Sequence, residues 1–436
     1  MTIRRPSVVV THPGSQQVYE TVRGLQDAGM LHRFVASVYW THDRPDSRLP
    51  YRYLPRPLRS AAVRGLRKRW HPAIKPRYVR EIPSPFLVMR GVSIALERAG
   101  LTRYAGIERL GDAWFDRAAA SWLAQRRGVT QVHAFEGEAL YTFREARRLG
   151  LHTVLDAPAA HEYNLRLCAA EAAAHGSAPP MRFGSPTRVR RERALADVVV
   201  SPSQFVSRCL IEHGVPERKI AQIPFGADVD QFTPSRGPTD VGTFRLLYVA
   251  SINVRKGTRY LLQAWRDLNL PNAELVIAGT PDASGRAILR EHDGAARLLG
   301  HVPWFELPDL FRSASAFVLP SIAEGSALVT YMAMASGLPV IVTEDAGSVA
   351  RDGIDGLIVS SRDVEALKRA IVRLYEHRDE ARAMGASARR LIEEHYTWRH
   401  YHARIATLHH ALFEGRDAAA AVRDADLSAF AREASA

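Results

Sequence analysis

The sequence predicts an α/β chain of two doubly wound domains, and three observations carry that reading. Short apolar runs of strand length alternate with helical stretches through both halves of the chain, the pattern of parallel sheets wrapped by helices. A stretch without periodicity, FGADVDQFTP at 225–234, continues through 238–242 and divides the alternation into two series. No short tandem period recurs, so the series are two domains of one Rossmann-like architecture rather than a solenoid. At 436 residues, with 46% hydrophobic and 24% charged content, the chain is too long for one core and has the balance of a globular protein. The expected units are an amino-terminal domain over 1–237, a carboxyl-terminal domain over 238–397 and a terminal segment over 398–436.

Residues 7–11 read as the first buried strand, ended by His12, Pro13, Gly14 and Ser15 ahead of a helix over 16–28. Gly14 either lets the backbone come close to a ligand at the helix head or simply serves the turn. Residues 34–40 supply the next strand. From 41 to 110 the alternation stops. This stretch holds 16 Lys and Arg against 5 Asp and Glu, +11 of the chain's net +13, with eight prolines among them. Such a block fits nucleic acid, an anionic membrane face or an anionic substrate. No compact RNA or DNA motif accompanies it and the arginines do not line one helix, so nucleic acid ranks last and is not an expected partner. Helical candidates here are 58–70 and 86–99. In the first, Leu58, Ala62, Leu66 and Trp70 fall four apart with Arg59, Arg64, Arg67, Lys68 and Arg69 around them. That outlines either a basic helix lying on a membrane or a solvated helix packed on the domain.

Alternation resumes with a helix at 112–127, strand 131–135, helix 139–149, strand 152–156 and helix 160–174. After a Gly, Ser and Pro loop at 175–186 come a helix to 196, strand 198–201, helix 203–213 and strand 220–224. The second series has strands at 246–250, 274–278, 316–319, 340–343 and 357–359, and an amphipathic helix runs from 398 to about 412. Cys168 and Cys209 lack zinc spacing and read as buried small apolar residues of a protein in a reducing cytoplasm. The three valines after the amino-terminal arginines are too short for a secretory leader, and no run approaches a membrane span.

The chemistry concentrates at 318–342, VLPSIAEGSALVTYMAMASGLPVIV. A buried strand stopped by Pro320, a loop with Glu324 and Gly325, a helix, and a second strand after Gly337 and Pro339 make a βαβ unit. Ser326 is the expected N-cap, and the NH groups of Ser326, Ala327, Leu328 and residue 329 offer a site for phosphate. Glu324 cannot favour phosphate. It is either an acceptor for sugar hydroxyls or a solvated loop acid. In the other loop of this domain, Arg255, Lys256 and Gly257 follow a strand and precede a helix at 260–268. Two cations there suit a diphosphate, or else form a solvated basic turn. His161, five residues after Asp156 at a strand end, either touches the substrate or starts a helix in solvent; His12 and His133 are weaker candidates. No paired acids in a strand-end context and no ligand cluster call for a metal.

The segment with Pro320, Ser321, Glu324, Gly325, Gly337, Pro339 and Val340 resembles the signature of family 4 retaining glycosyltransferases, in which PSxxEG leads into a helix and a GxPV strand. SINVRKG at 251–257 is similar to that family's donor phosphate segment, placing Lys256 on the diphosphate. The likeness is firmest over 225–395. It implies a GT-B fold, two Rossmann-like domains facing across a cleft with the last helix, over 401–412, crossing back to the amino domain. It also implies a nucleotide sugar substrate, no cofactor or metal, Gly14 facing the diphosphate, and His161 at the transferred sugar. Two positions depart from the family pattern. Met332 stands where a ribose-binding Glu is usual, and reads either as ribose-facing or as part of the apolar helix face. Ser251 stands where an Arg is usual, and Arg255 is the candidate replacement.

The leading expectation is transfer of a sugar to a hydroxyl of a glycan or lipid-linked acceptor for a bacterial surface polysaccharide, in the cytoplasm at the inner face of the membrane. The alternatives are a nucleotide-sugar epimerase of the same fold and a non-catalytic nucleotide- or glycan-binding relative.

Overall fold

The computed structural model describes residues 5–14, 17–39, 69–82, 108–159, 161–174, 185–235 and 242–425, together with 89 and 92. Apart from residues 69, 70, 89 and 92, the helices expected at 58–70 and 86–99 lie outside the described residues, as do most of the basic stretch 41–110 and the segment 236–241.

The amino-terminal series runs β1 (Val8–His12), α1 (Val18–Asp27), β2 (Leu31–Ala36), β3 (Val79–Glu81), α2 (Glu108–Leu123), β4 (Gln131–Phe135), α3 (Leu140–Arg148), β5 (His152–Asp156), α4 (His161–Ala174), α5 (Pro186–Leu195), β6 (Val198–Ser201), α6 (Gln204–Glu212) and β7 (Ile220–Gln222). The second series has β8 (Phe244–Val249), α7 (Thr258–Leu268), β9 (Ala273–Ala278), α8 (Ala283–Glu291), β10 (Arg297–Gly300), α9 (Leu307–Arg312), β11 (Ala316–Leu319), α10 (Leu328–Ala335), β12 (Val340–Thr343), β13 (Gly356–Val359), α11 (Val364–Glu376) and α12 (Arg378–His395). It ends in α13 (Trp398–Phe413) and α14 (Ala418–Arg423). The strands form a seven-stranded sheet, β3-β2-β1-β4-β5-β6-β7, and a six-stranded sheet, β10-β9-β8-β11-β12-β13. Pairing is parallel throughout, and the central strands β11 and β12 are wholly buried, as strands covered on both faces must be.

Two strands went unread in the sequence, β3 and β10. Both are edge strands held by backbone pairing on one side, and Leu298 in β10 is 49% exposed. Neither therefore carries the apolar run that marks a buried strand. The second strand also starts earlier than 34, at Leu31, because Gly29 at φ +69° turns the chain straight out of α1.

Helix α13 returns to the amino-terminal sheet. Tyr401 OH and Thr21 Oγ1 of α1 lie 2.9 Å apart, and His402 Nε2 is 2.8 Å from Glu20 Oε2. Gly24 permits this contact, since a β carbon there would sit 3.0 Å from His402 Cα. Further along, Gln131 Oε1 lies 2.5 Å from His409 Nδ1, and its Nε2 donates to His409 O at 2.9 Å. The amide oxygen can only accept, so His409 Nδ1 carries a proton, and burial keeps this ring from gaining a second. His409 Nε2 then accepts from His133 Nδ1 at 3.1 Å. His133 is accordingly a buried link between β4 and α13.

The two passages between the sheets lie side by side. Ala227 pairs with Thr397 in a parallel bridge, and a β carbon at Gly226 would come 2.4 Å from Trp398 N.

Candidate functional site

Strand order reverses between β1 and β4 in one sheet and between β8 and β11 in the other. Open α/β sheets bind ligands in the crevice outside the carboxyl ends of the strands at such points. At the second reversal the two loops interlock. Asn253 Oδ1 accepts from Lys256 N at 3.0 Å and caps a short turn. Gly257 follows at φ +66°, where a β carbon would lie 1.8 Å from Pro320 O. Ile322 N donates to Arg255 O at 2.9 Å.

This interlock brings Arg255, Lys256 and Glu324 together. Arg255 Nη1 donates to Glu324 Oε2 at 2.9 Å and to Ala323 O at 3.0 Å, and Lys256 Nζ donates to the same carboxylate oxygen. Glu324 is thus neither solvated nor alone, and Arg255 points into the site that Ser251 leaves without an arginine. Burial by itself would raise the Glu324 pKa, but the charges of Lys256 and then Arg255 outweigh it and hold the carboxyl below its usual range. Burial lowers the Lys256 pKa, with Arg255 adding to the effect and Glu324 opposing it. Glu324 Oε1 has no hydrogen-bond partner among the described residues. Two cations and one anion leave a net positive site with one carboxylate oxygen available to a hydroxyl.

The helix head above them differs from expectation. Ser326 is not the cap: α10 begins at Leu328, with Ala327 at the cap position and no side-chain cap bond. Ser326 Oγ donates to Gly347 O and lies 3.1 Å from Tyr331 OH, while Ala327 N donates to Ala346 O at 3.1 Å. The loop 344–347 folds beneath the segment and takes up the Ser326 hydroxyl and the Ala327 NH, so the NH groups left at the helix head are those of Ser326, Leu328 and Val329. Met332 is 3% exposed and belongs to the hydrophobic core. Its side chain lies on the apolar face of α10, so Met332 is a packing residue rather than the donor-binding one expected.

Gly325 has no room beside it. A β carbon would lie 1.8 Å from Pro158 O, and Ser203 Oγ donates to Gly325 O at 2.6 Å. Gly325 is therefore where the two domains touch backbone to backbone. Gly14 is also packed: its NH donates to His12 Nδ1 at 2.9 Å, and a β carbon would lie 2.7 Å from His12 Cε1. Its place at the first strand-order reversal stands, but the space beside it holds the His12 ring. His161 opens α4 beyond the end of β5, and its side chain lies outside the described part. Sequence reasoning missed Asn253, Ser203 and the bond between Tyr260 OH and Glu171 of α4. Of these only Asn253 left a signal, a capping residue three positions before Lys256.

Two parallel doubly wound sheets, meeting through the loops at their strand ends and tied by a returning last helix, define the GT-B type of glycosyltransferase fold. HepE of Anabaena, solved in complex with UDP, superposes at a TM-score of 0.61 and 12% identity over 92% of this chain and 98% of its own. Residues 243–377 match the family of glycosyl transferases group 1, the same region that carries the resemblance to family 4 enzymes. An MMP alpha-(1->4)-mannosyltransferase of Mycolicibacterium hassiacum is 27% identical over 48% of this chain and 52% of its own length. A GDP-mannose-dependent alpha-(1-6)-phosphatidylinositol monomannoside mannosyltransferase of Mycolicibacterium smegmatis is 28% identical over 53% of this chain and 67% of its own. The chain thus matches about half to two thirds of the length of these curated relatives.

Proposed function

We propose that this protein is a retaining glycosyltransferase that moves a sugar from a nucleoside diphosphate sugar to a hydroxyl of a glycan or lipid-linked acceptor. The observation that carries the proposal is the convergence of Arg255, Lys256 and Glu324 at the strand-order reversal below the head of α10. The cations and the NH groups of Leu328 and Val329 take the diphosphate, and its charge rises as the glycosidic bond lengthens. Glu324 Oε1 accepts a hydroxyl of the sugar. Arg255 and Lys256 do for the leaving group what a metal does in other transferases, so no metal or cofactor is required. The names of the relatives point to mannose as the first sugar to try and to a phosphatidylinositol mannoside or glycan as acceptor. A surface polysaccharide or glycolipid made at the inner face of the membrane is the setting this suggests. No described helix is long and apolar enough to cross a membrane.

The experiment is release of nucleoside diphosphate from a panel of nucleotide sugars, GDP-mannose and UDP-glucose among them. One member is expected to turn over and to raise the melting temperature, a ligand at a hundred times its Kd adding about 2.7 kcal/mol. Lys256→Ala is expected to slow that turnover by roughly ten to a thousandfold. Unchanged turnover in the variant overturns the phosphate assignment, and conversion of the donor to an isomer identifies an epimerase instead.

A further inference from the structure

We propose that Asn164 is a binding residue for the transferred sugar, its side-chain amide oxygen accepting a hydroxyl beside Glu324. This rests on the nucleotide-sugar reading and adds to it a contact from the opposite domain. Asn164, Cys168 and Glu171 are the fully buried polar or thiol positions of α4, spaced four and three apart, which puts them on one helix face. That face is turned to the carboxyl-terminal domain. Glu171 bonds Tyr260 of α7, and α4 packs on the turn that carries Arg255 and Lys256. Cys168 is close enough to feel the charges of both Arg255 and Glu324. One turn of helix, about 6 Å, separates Asn164 from Cys168 in the direction of Pro158. Pro158 O is the atom against which Gly325, next to Glu324, is packed.

At that place Asn164 is 1% exposed, and its Oδ1 is buried without any hydrogen-bond partner. An amide oxygen stripped of water and given no donor is costly, and native structures keep few of them. A carbonyl oxygen accepts and never donates, so the missing partner is a donor. For that oxygen a phosphate is no partner and a hydroxyl fits, while the same amide's Nδ2 can donate to a neighbouring ring oxygen or hydroxyl. Glu324 Oε1 is a second unfilled acceptor on the facing loop, and two acceptors suit two hydroxyls of one sugar ring.

The test compares wild type, Asn164→Ala and Asn164→Leu by thermal shift with GDP-mannose, UDP-glucose and UDP-N-acetylglucosamine, each against its own nucleoside diphosphate. For the nucleotide sugar that stabilises wild type beyond its diphosphate, both variants are expected to lose that increment, with binding about tenfold weaker. The shift given by the diphosphate alone is expected to stay. Without ligand the variants are expected to melt at or above the wild-type temperature, since an unpaired polar atom has been removed. An unchanged sugar increment overturns the inference, and so does a ligand-free variant that melts several degrees lower, which would make the amide a structural bond. A wild type that no probe stabilises overturns the donor class itself, whereas a stabilised wild type with equally stabilised variants overturns Asn164 alone.

Discussion

At Glu324 one carboxylate oxygen takes both cations and the other takes none, and this division has a kinetic consequence. The Lys256 ammonium is useful to a diphosphate only while protonated, and burial has lowered its pKa from the ordinary 10.5. Transfer is therefore expected to fall as pH rises through that lowered value. Glu324→Gln removes the anion that supports the ammonium, so the fall is expected at still lower pH, and a pH–rate profile of the two proteins checks it. An alkaline limb that does not move shows that the carboxylate is not what keeps Lys256 charged. Met332 makes the second residue-scale prediction. Met332→Glu places an unpaired acid in the core and is expected to cost at least about 2 kcal/mol, with no tighter donor binding, whereas Met332→Leu is expected to cost less than about 1.5 kcal/mol. Calorimetry with and without nucleotide separates the two effects. Residue identities announced the cations and Glu324, because charges at strand ends between apolar runs stand out in a sequence. Asn164 and Ser203 stay hidden, because their significance lies in what faces them from the other domain.

Among the elements, the buried parallel strands were readable almost residue for residue, β4, β5, β6, β11 and β12 most closely. Their apolar runs and punctuating glycines and prolines express burial on both faces. The edge strands β3 and β10 were not, since what defines them is a hydrogen-bonding neighbour. The head of α10 was misread for a related reason: Ser326 has the chemistry of a cap, but the loop 344–347 competes for it. The docking of α13 on α1 supplies the element-scale prediction. Burial alone would raise the Glu20 carboxyl, but hydrogen bonds from His402 and His71 hold it down to about 2, against 4.5 for the free group. A carboxyl with a depressed folded pKa stabilises the fold fully above 4.5 and loses that contribution as pH falls toward 2. Glu20→Gln is expected to lower stability near neutral pH by on the order of 2 kcal/mol. It should also flatten the pH dependence of melting between those two values, as acid titration followed by circular dichroism would show.

For the whole molecule, charge and connectivity matter most. The stretch 41–110 holds +11 of the net +13, and one of its arginines is already engaged, Arg69 donating to Pro13 O at 2.7 Å beside the first strand-order reversal. The protein is expected to sediment with anionic vesicles more strongly than with neutral ones and to be released by salt. Equal binding to both would assign the charge to the acceptor or to the fold. Gly226→Ala drives a methyl against Trp398 N and is expected to lower the melting temperature by wedging the two passages apart. Those passages, Gly226 to Ala227 outward and Thr397 to Trp398 on the return, run in contact rather than at opposite edges of the domains. Bodies fastened at two neighbouring points behave like the leaves of a gate on one pin: they swing about that line and cannot slide apart. Rotation about that line is the motion the paired crossings permit, and it is the one expected to part Gly325 from Pro158, which touch in this structure.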